Sequence, residues 1–412
     1  MEFSDDVKSF LEREFPGRDI YKMTAQELKV FKEDIKDKMH ECDMFSLGMK
    51  TLGNAAYGAS ANEHLYFFDT RIAADITAEC RNLTRTMWDK FEWFFKEELW
   101  LRTDLQEKFD FRLDETKHDW YRSTPVSVYS DTDSVYTSYG NLFRAMTPET
   151  KALYDTDRKK VDWILKFNKE FLDGQNTEWC RDIFDPRHGH SVHEFELETV
   201  SKACIYQKKK KYIKALLYSK GKYYDTPKIS AVGIELVKTT TPPLCRKMLT
   251  DLIHMLMFDY SDDIRREFMM AFRQKLLAYR KQFYGAPIEE ISQSINIGDY
   301  HKYVIDDRDS LKLQPRCPSS VHACARYNYL AHKNNEDNKR MISGKMKYYN
   351  ISISYKNNGY FGYPSGELPA WAPKIDLLTQ WSKNVIGPIN RFMEAMKLDT
   401  MDTGTNIQLS LF

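Results

Sequence analysis

The chain has 412 residues, too many for one ordinary hydrophobic core, and its length predicts two or three domains. A hydrophobic content of 42% excludes a disordered chain, and a net charge of +1 means that a polyanion has to be bound by local basic patches. Seven scattered cysteines without a Cys-x-x-Cys pair, an acidic N-terminus and no long apolar run predict a soluble intracellular protein with no zinc ribbon, signal peptide or membrane segment.

The N-terminal region predicts two helices. Residues 5–45 carry apolar side chains at helical spacing, interrupted by a Pro-Gly turn in FPGRD. Farther along, Lys50, Asn54 and Tyr57 share one helix face just before Gly58. An ammonium, an amide and a phenol in a row suit a nucleoside triphosphate, and Gly58 allows close backbone approach. A solvated helix face that ends in a capping glycine is the alternative.

A long helix over residues 70–101 and then a β-hairpin follow. The helix carries apolar residues at core spacing. In VYSDTDSVY (128–136), strand formers flank a turn that holds Asp131 and Asp133. Two close carboxylates repel each other unless a cation relieves the repulsion, and Mg²⁺ is bound by such pairs together with phosphates. An ordinary acidic turn is the alternative.

After another helical stretch around KKVDWILKFNKEF, the run HEFELETV predicts a strand that presents Glu194, Glu196 and Glu198 on one face. A carboxylate from this face is a candidate neighbour of the acidic pair. The adjacent His188, His190 and His193 lack both helix spacing and a cysteine partner, which disfavours a transition-metal site.

Strand pattern continues through KKKKYIKALLYSKGKYY, with a turn at residues 219–222. The basic run Lys208–Lys211 lies among tyrosines on this predicted strand. Mixed lysine and aromatic surfaces bind nucleic-acid backbones, whereas a solvated charge run is the alternative.

Beyond Gly233 the pattern is mainly helical, so we place a domain boundary there and predict an α+β protein. The chain ends in NIQLSLF, after the last predicted helix. An apolar tail of this kind is typical of a partner-binding peptide, and packing on its own domain is the alternative.

The ordered set Asn-x-x-Tyr-Gly, Tyr-x-Asp-Thr-Asp-Ser and Lys-Lys-x-Tyr resembles the second half of a family B DNA polymerase, with the T-even phage replicative polymerases as the closest likeness. VGIELVKTTTPP is similar to the junction into that family's thumb. The resemblance implies a palm built of antiparallel sheet and helices, part of the fingers and a mainly helical thumb. It assigns fingers to 1–62, palm to 63–232, thumb to 233–405 and a clamp-binding tail to 406–412.

The resemblance also implies residue roles. Asp131 and Asp133 match the family's catalytic, metal-binding pair, for two Mg²⁺ ions that Mn²⁺ can replace, and Glu198 matches a nearby acidic position. The other matches are nucleotide binding by Lys50, Asn54, Tyr57 and Gly58, grip of primer-template DNA by Lys208, Lys209, Lys210, Lys211 and Tyr212, and sliding-clamp binding by Gln408, Leu409, Leu411 and Phe412. In the family the tyrosine packs beneath the incoming sugar, which favours deoxynucleoside triphosphates, although RNA-copying and terminal-transferase activities stay open.

Three family features are missing: the first metal-binding motif with its aspartate, the exonuclease half and the basic fingers helix. Ala55 also stands where the family usually has serine. We therefore expect the C-terminal subunit of a naturally split polymerase, completed by a separate N-terminal chain in the cytoplasm of an infected bacterial cell. A truncated form of a longer polymerase and a non-catalytic DNA- and clamp-binding subunit are the alternatives.

Overall fold

A computed structural model describes residues 5–184, 193–352 and 359–402. Its contacts divide the chain into two units, Met1–Arg85 and Thr86–Phe412. The helices are α1 Asp5–Glu14, α2 Ala25–Ser60, α3 Thr70–Trp93, α4 Leu99–Leu101, α5 Thr103–Lys108, α6 His118–Ser123, α7 Tyr139–Ala145, α8 Pro148–Leu153, α9 Asp157–Phe167, α10 Asp173–Phe184, α11 Pro243–Phe258, α12 Arg265–Tyr284, α13 Ile288–Ile291, α14 Tyr300–Tyr303, α15 Ser319–Lys333, α16 Leu377–Trp381 and α17 Gly387–Ala395.

The strands are β1 Ser127–Asp131, β2 Ser134–Thr137, β3 Thr199–Lys208, β4 Lys211–Ser219, β5 Lys222–Val232, β6 Gln293–Ile297, β7 Val304–Asp306, β8 Lys312–Leu313, β9 Gly344–Ile351 and β10 Gly359–Pro364. They form small antiparallel sheets in the orders β1-β2, β3-β4-β5, β10-β9-β6 and β7-β8. This mixture of helices and antiparallel sheets agrees with the predicted α+β class.

The first unit is helical. Its long helix α2 starts at a capping box, in which the Thr24 hydroxyl accepts from the Glu27 N–H and the Thr24 N–H donates to the Glu27 carboxylate at 2.7 Å. The chain reverses direction between α1 and α2 around Pro16 and Gly17, where Gly17 has a φ of +79°. The predicted pair of helices joined by a Pro-Gly turn is confirmed.

The second unit begins in the last turns of α3, where an aromatic core forms. Phe94 is fully buried, and its ring lies 5.2 Å from Phe95, 5.6 Å from Phe171 and 5.8 Å from Trp179. The predicted long helix is therefore confirmed. Only its C-terminal part contributes to the hydrophobic core, because Ile72 and Ile76 in its N-terminal part are exposed. A π-helical turn, Phe94–Glu98, joins α3 to α4.

A single hydrophobic cluster spans the boundary that the sequence predicts at Gly233. Ile205 on β3 and Ile213 on β4 share it with Met248 on α11 and Phe272 on α12. The assignment of residues 63–232 to a palm and 233–405 to a thumb stays a prediction, since the contacts place residues 63–85 in the first unit and both 86–232 and 233–405 in the second. Within the described ranges, no helix combines the length and apolar character that crossing a membrane requires.

Candidate active site

The acidic turn lies at the tip of the hairpin β1-β2, as the sequence predicts. Asp131 pairs with Ser134, and Thr132 at the corner has a φ of +52°. The turn is closed by a hydrogen bond of 2.6 Å from the Asp133 N–H to the Asp131 carbonyl, and the Ser134 hydroxyl donates to the same carbonyl at 3.0 Å. Asp131 is half-buried and Asp133 is exposed. Among the described residues neither carboxylate forms an ion pair, and the Asp131 carboxylate accepts a hydrogen bond of 3.2 Å from the Thr132 hydroxyl.

The basic run forms a second tight turn, so its prediction as strand is confirmed for Lys208 and Lys211 and wrong for Lys209 and Lys210. Lys208 ends β3, Lys211 begins β4, and Lys209 and Lys210 form the turn between these strands. Lys210 has a φ of +59°, an unusual conformation for a residue with a side chain. In the described structure none of the four lysines is paired with an acidic side chain. The run therefore lies at the tip of the β3-β4 hairpin.

Four tyrosines hold the two turns together. Tyr129 and Tyr136 lie on the acidic hairpin, and Tyr206 and Tyr212 on the basic one. Tyr129 stacks on Tyr206 with ring centroids 4.6 Å apart, and every other pair of these rings lies within 6.0 Å. The Lys210 N–H donates to the Tyr129 hydroxyl at 2.8 Å. This tyrosine cluster therefore fixes the basic turn against a residue two positions before Asp131.

Gly233 supports the basic turn from behind. Its φ is +64°, and a Cβ there would lie 2.2 Å from the Lys210 carbonyl oxygen. Only glycine fits both the conformation and the space. The sequence singles out Gly233 only as a domain boundary, so this role was missed.

Electrostatic interactions link the tyrosine cluster to Asp131 in the acidic turn and to Lys214 on β4. Burial raises the pKa of Tyr212 to about 12, and the hydrogen bond to Tyr136 and the nearby Asp131 carboxylate act in the same direction. The Lys214 ammonium lies 5.0 Å from the Tyr136 ring centroid and 5.7 Å from that of Tyr212. Tyr212 is therefore neutral near pH 7, and its ring packs against the other tyrosines rather than carrying charge.

An open groove of about 1420 Å³ runs beside the acidic hairpin. Asp133 and Lys214 line it with Lys160 on α9, Glu196 and Lys202. Charges of both signs on its walls suit a ligand that carries phosphates and cations together.

The glutamate run is not part of a sheet, so its prediction as a strand is wrong. β3 begins only at Thr199, after Glu194, Glu196 and Glu198. The alternation itself is confirmed, because all three glutamates are exposed and the intervening side chains are half-buried. The Glu198 carboxylate pairs with the Lys220 ammonium at 3.2 Å.

The structure does not assemble a complete metal centre from this chain. Across residues 5–184, 193–352 and 359–402, no three metal-ligating side chains cluster, so Asp131, Asp133 and Glu198 do not form a three-ligand group. Two unpaired carboxylates on one turn still fit part of a magnesium site, since Mg²⁺ is commonly held by one or two carboxylates with substrate phosphates.

The predicted nucleotide face lies on α2, in the first unit. Lys50, Asn54 and Tyr57 are exposed on the helix. Gly58 lies inside the helix, which ends at Ser60 with Ala61 as its C-cap, so the capping alternative for this glycine is wrong. Its hypothetical Cβ has no neighbour within 4 Å.

Two groups of sequence candidates fall outside the described residues. These are His188 and His190, and the tail residues Gln408, Leu409, Leu411 and Phe412. In contrast, the sequence analysis missed Tyr129, Tyr136 and Lys214, although the tyrosines that flank both charged runs were a signal that the two runs share one aromatic surface.

Comparison with known proteins supports a polymerase relationship. No protein-family model matches this chain. It is 24% identical over 374 residues to the DNA-directed DNA polymerase of Escherichia phage RB69, a match that covers 86% of this chain and 37% of that polymerase. The chain thus spans little more than a third of the length of this relative. It is distantly related to a DNA polymerase.

Proposed function

We propose that this chain is the C-terminal subunit of a split, family B, template-directed DNA polymerase. It adds deoxynucleotides to a primer 3′ end once a separate N-terminal chain supplies the exonuclease and the first metal-binding motif. The observation that carries the proposal is the tyrosine cluster, which joins an unpaired acidic turn to an unpaired basic turn. The distant similarity to a phage DNA polymerase supports it.

The acidic turn would hold the metal ions. Asp133 is the exposed, central ligand, and the half-buried Asp131 assists beside it. Magnesium bound here would neutralise charge on the triphosphate and activate the primer hydroxyl. Two carboxylates are too few for two ions, which is why the proposal requires a further aspartate from the N-terminal chain. Glu198, paired with Lys220, has a lesser role near the pair.

The basic turn would hold the nucleic acid. Lys208, Lys209, Lys210 and Lys211 meet the phosphates of the primer-template duplex, and Tyr212 sets the position of the turn through its ring contacts. Since the Lys210 N–H is hydrogen-bonded to the Tyr129 hydroxyl, a duplex bound by the basic turn would be positioned relative to the acidic hairpin.

The remaining assignments follow the family resemblance. On α2, Lys50 and Asn54 would bind the triphosphate, Tyr57 would pack against the deoxynucleotide and Gly58 would allow close approach. Fingers, palm and thumb would correspond to residues 1–62, 63–232 and 233–405. Gln408, Leu409, Leu411 and Phe412 would tether the enzyme to a sliding clamp in an infected bacterial cell.

The test is primer extension by this chain with and without the N-terminal chain. The single chain should extend no primer, and the pair should extend it in the presence of Mg²⁺ or Mn²⁺. Asp133→Ala should lower extension by the pair at least a hundredfold, on the order expected for loss of a metal ligand, with the complex still assembled. Asp225→Ala, which removes an exposed carboxylate on β5, is the matched control and should leave extension unchanged.

Robust extension by the single chain would contradict the split active site, and near-normal extension by Asp133→Ala would contradict the metal assignment. A second candidate function, a non-catalytic DNA- and clamp-binding subunit, is favoured by the four unpaired lysines alone. It predicts that the pair binds primer-template DNA and never extends it, whatever residue stands at 133.

A further inference from the structure

Glu92 holds the start of the acidic hairpin. It lies in the last turn of α3, and its Oε1 accepts two backbone hydrogen bonds, from the Val126 N–H at 2.9 Å and from the Ser127 N–H at 2.6 Å. Its other oxygen, Oε2, pairs with the Lys96 ammonium at 2.7 Å. Hydrogen bonds to an ionised acceptor are about twice as strong as neutral ones, so this carboxylate binds the residues that begin β1 strongly.

The backbone that Glu92 binds is buried. Val126 is 2% exposed and Ser127 is 1% exposed. A buried N–H group without an acceptor is unfavourable, so both groups require one. In the described ranges β1 pairs only with β2, and Glu92 supplies the acceptor from a helix instead of a second strand.

The helical side of this contact belongs to the aromatic core. Phe91, Phe94 and Phe95, which surround Glu92 in sequence, are all buried. One turn earlier, the Trp88 carbonyl accepts from the Ser127 hydroxyl at 3.4 Å. The start of β1 is therefore held against a part of α3 whose own position is set by packing.

A β-bulge lies between this contact and the acidic turn. Ser127 lies opposite Thr137 and Tyr129 lies opposite Tyr136, so Val128 is an extra residue between the two pairs. Bulges bend a strand and change the direction of the side chains that follow, and they are frequent beside active sites. Because successive strand residues point to opposite faces, a slip of one residue across the bulge would turn Asp131 to the other face of the hairpin.

Two contacts from outside the hairpin flank the bulge. Glu92 binds the backbone before it, and Tyr206 stacks on Tyr129 after it, with ring centroids 4.6 Å apart. Pairing with β2 alone leaves the place of the extra residue open, whereas these two contacts determine it. The tyrosine cluster is thus one half of the support of the acidic turn, and Glu92 is the other half.

We propose that Glu92 is a positioning residue for the metal-binding turn. By holding Val126 and Ser127, it sets the register of β1 across the bulge and thereby the direction in which Asp131 and Asp133 present their oxygens to magnesium. The inference rests on the proposed function, and it assigns Glu92 no contact with metal, nucleotide or DNA.

Three variants separate positioning from stability. Glu92→Leu removes the acceptor, and Glu92→Gln keeps a carbonyl oxygen in its place. Gln106→Leu is the matched control, because Gln106 Oε1 accepts from the Leu113 N–H at 3.2 Å, elsewhere in the second unit. Each leucine variant therefore removes a side-chain acceptor of a buried backbone N–H, but only one of them acts on the hairpin.

Amide hydrogen exchange tests the contact in the single chain. It is measured by mass spectrometry on peptides that contain Val126 and Ser127. Exchange of these amides should be at least tenfold faster in Glu92→Leu and within threefold of the wild-type rate in Glu92→Gln. It should be unchanged in Gln106→Leu. This readout does not depend on any activity.

The Mg²⁺ requirement of primer extension tests the positioning role in the complex with the N-terminal chain. At a temperature where circular dichroism shows every variant folded, Glu92→Leu should raise the Mg²⁺ concentration for half-maximal extension at least fivefold. Excess Mg²⁺ should restore most of the rate, because added metal compensates for a weakened site but does not repair a misfolded chain. Glu92→Gln should shift the requirement less than twofold, and Gln106→Leu should not shift it.

Three outcomes would overturn the inference. One is unchanged exchange at Val126 and Ser127 in Glu92→Leu. Another is faster exchange with an unchanged Mg²⁺ requirement, which would make Glu92 a structural residue only and leave the proposed function intact. The third is an equal shift of the Mg²⁺ requirement in Gln106→Leu. Absence of extension by the wild-type pair is a different failure, since it contradicts the proposed function and the positioning role together.

Discussion

The two units place their charged residues by different means. In the second unit the acidic and basic turns are positioned by buried rings, with Tyr212 at 8% exposure beneath them. In the first unit Lys50 and Asn54 lie on a helical segment whose side chains are all exposed from 41 to 58. The acidic and basic turns are therefore positioned by buried contacts within this chain, whereas the described residues give the side chains of the α2 face no comparable packing.

The largest expected contrast is between two phenylalanines. Phe94→Ala should lower the free energy of unfolding of the second unit by about 3–5 kcal/mol, because it opens a cavity among Phe95, Phe171 and Trp179. Phe45→Ala should change stability by less than about 0.5 kcal/mol in the single chain, since its side chain is exposed. Urea unfolding of both variants measures the contrast, and a large loss for Phe45→Ala would break the comparison.

A pair of glycines tests how tightly the basic turn is held. Gly233→Ala should destabilise the second unit by about 2–3 kcal/mol, because positive φ is unfavourable for alanine and its Cβ would collide with the Lys210 carbonyl. Gly221→Ala is the matched control, with a φ of +82° and open space around it, and should cost only about 1 kcal/mol. Equal losses of stability in the two variants, measured by thermal unfolding, would show that the close contact between Gly233 and the Lys210 carbonyl does not contribute to stability.

A smaller effect is expected at the contact between the two turns. Tyr129→Phe keeps the stacked ring and removes the hydroxyl that accepts from the Lys210 N–H. It should lower the free energy of unfolding of the second unit by about 1 kcal/mol. The free energy of binding primer-template DNA should weaken by a similar amount, about 1 kcal/mol, because the basic turn is held less firmly. Tyr224→Phe, which removes a hydroxyl without a hydrogen bond in the described structure, is the control. Unchanged stability and DNA affinity in Tyr129→Phe would mean that ring packing alone positions the turn.

The sequence predicted the helices and hairpins better than the tertiary contacts between them. The acidic hairpin was found because strand formers flank turn formers over nine residues, and α2 because its apolar spacing is regular. The lysine turn was missed because Lys210 adopts a positive φ without glycine, supported by Tyr129 and Gly233 from distant parts of the chain. Local patterns do not show which hairpins will share a cluster of rings.

The glutamate run shows a second kind of failure. Its alternation was predicted correctly, but alternating exposure also arises in a segment outside any sheet, and here the Glu198 carbonyl accepts from the Lys220 N–H at 3.0 Å although β3 begins only at Thr199. Strand assignment requires a hydrogen-bonding partner, and that partner is set by the tertiary fold.

The smallest expected effect is at Glu198, where the family resemblance and the structure predict different roles. The resemblance matches Glu198 to an acidic position near the metal pair, whereas the structure shows an exposed carboxylate paired with Lys220 and no three-ligand group among the described side chains. Glu198→Gln should therefore change stability by less than about 0.5 kcal/mol and extension by the assembled pair less than tenfold. Asp133→Asn, measured in the same extension assay, is the comparison and should be far more damaging. A loss at Glu198 as large as that at Asp133 would show that this glutamate leaves Lys220 and joins the acidic turn when the complex forms.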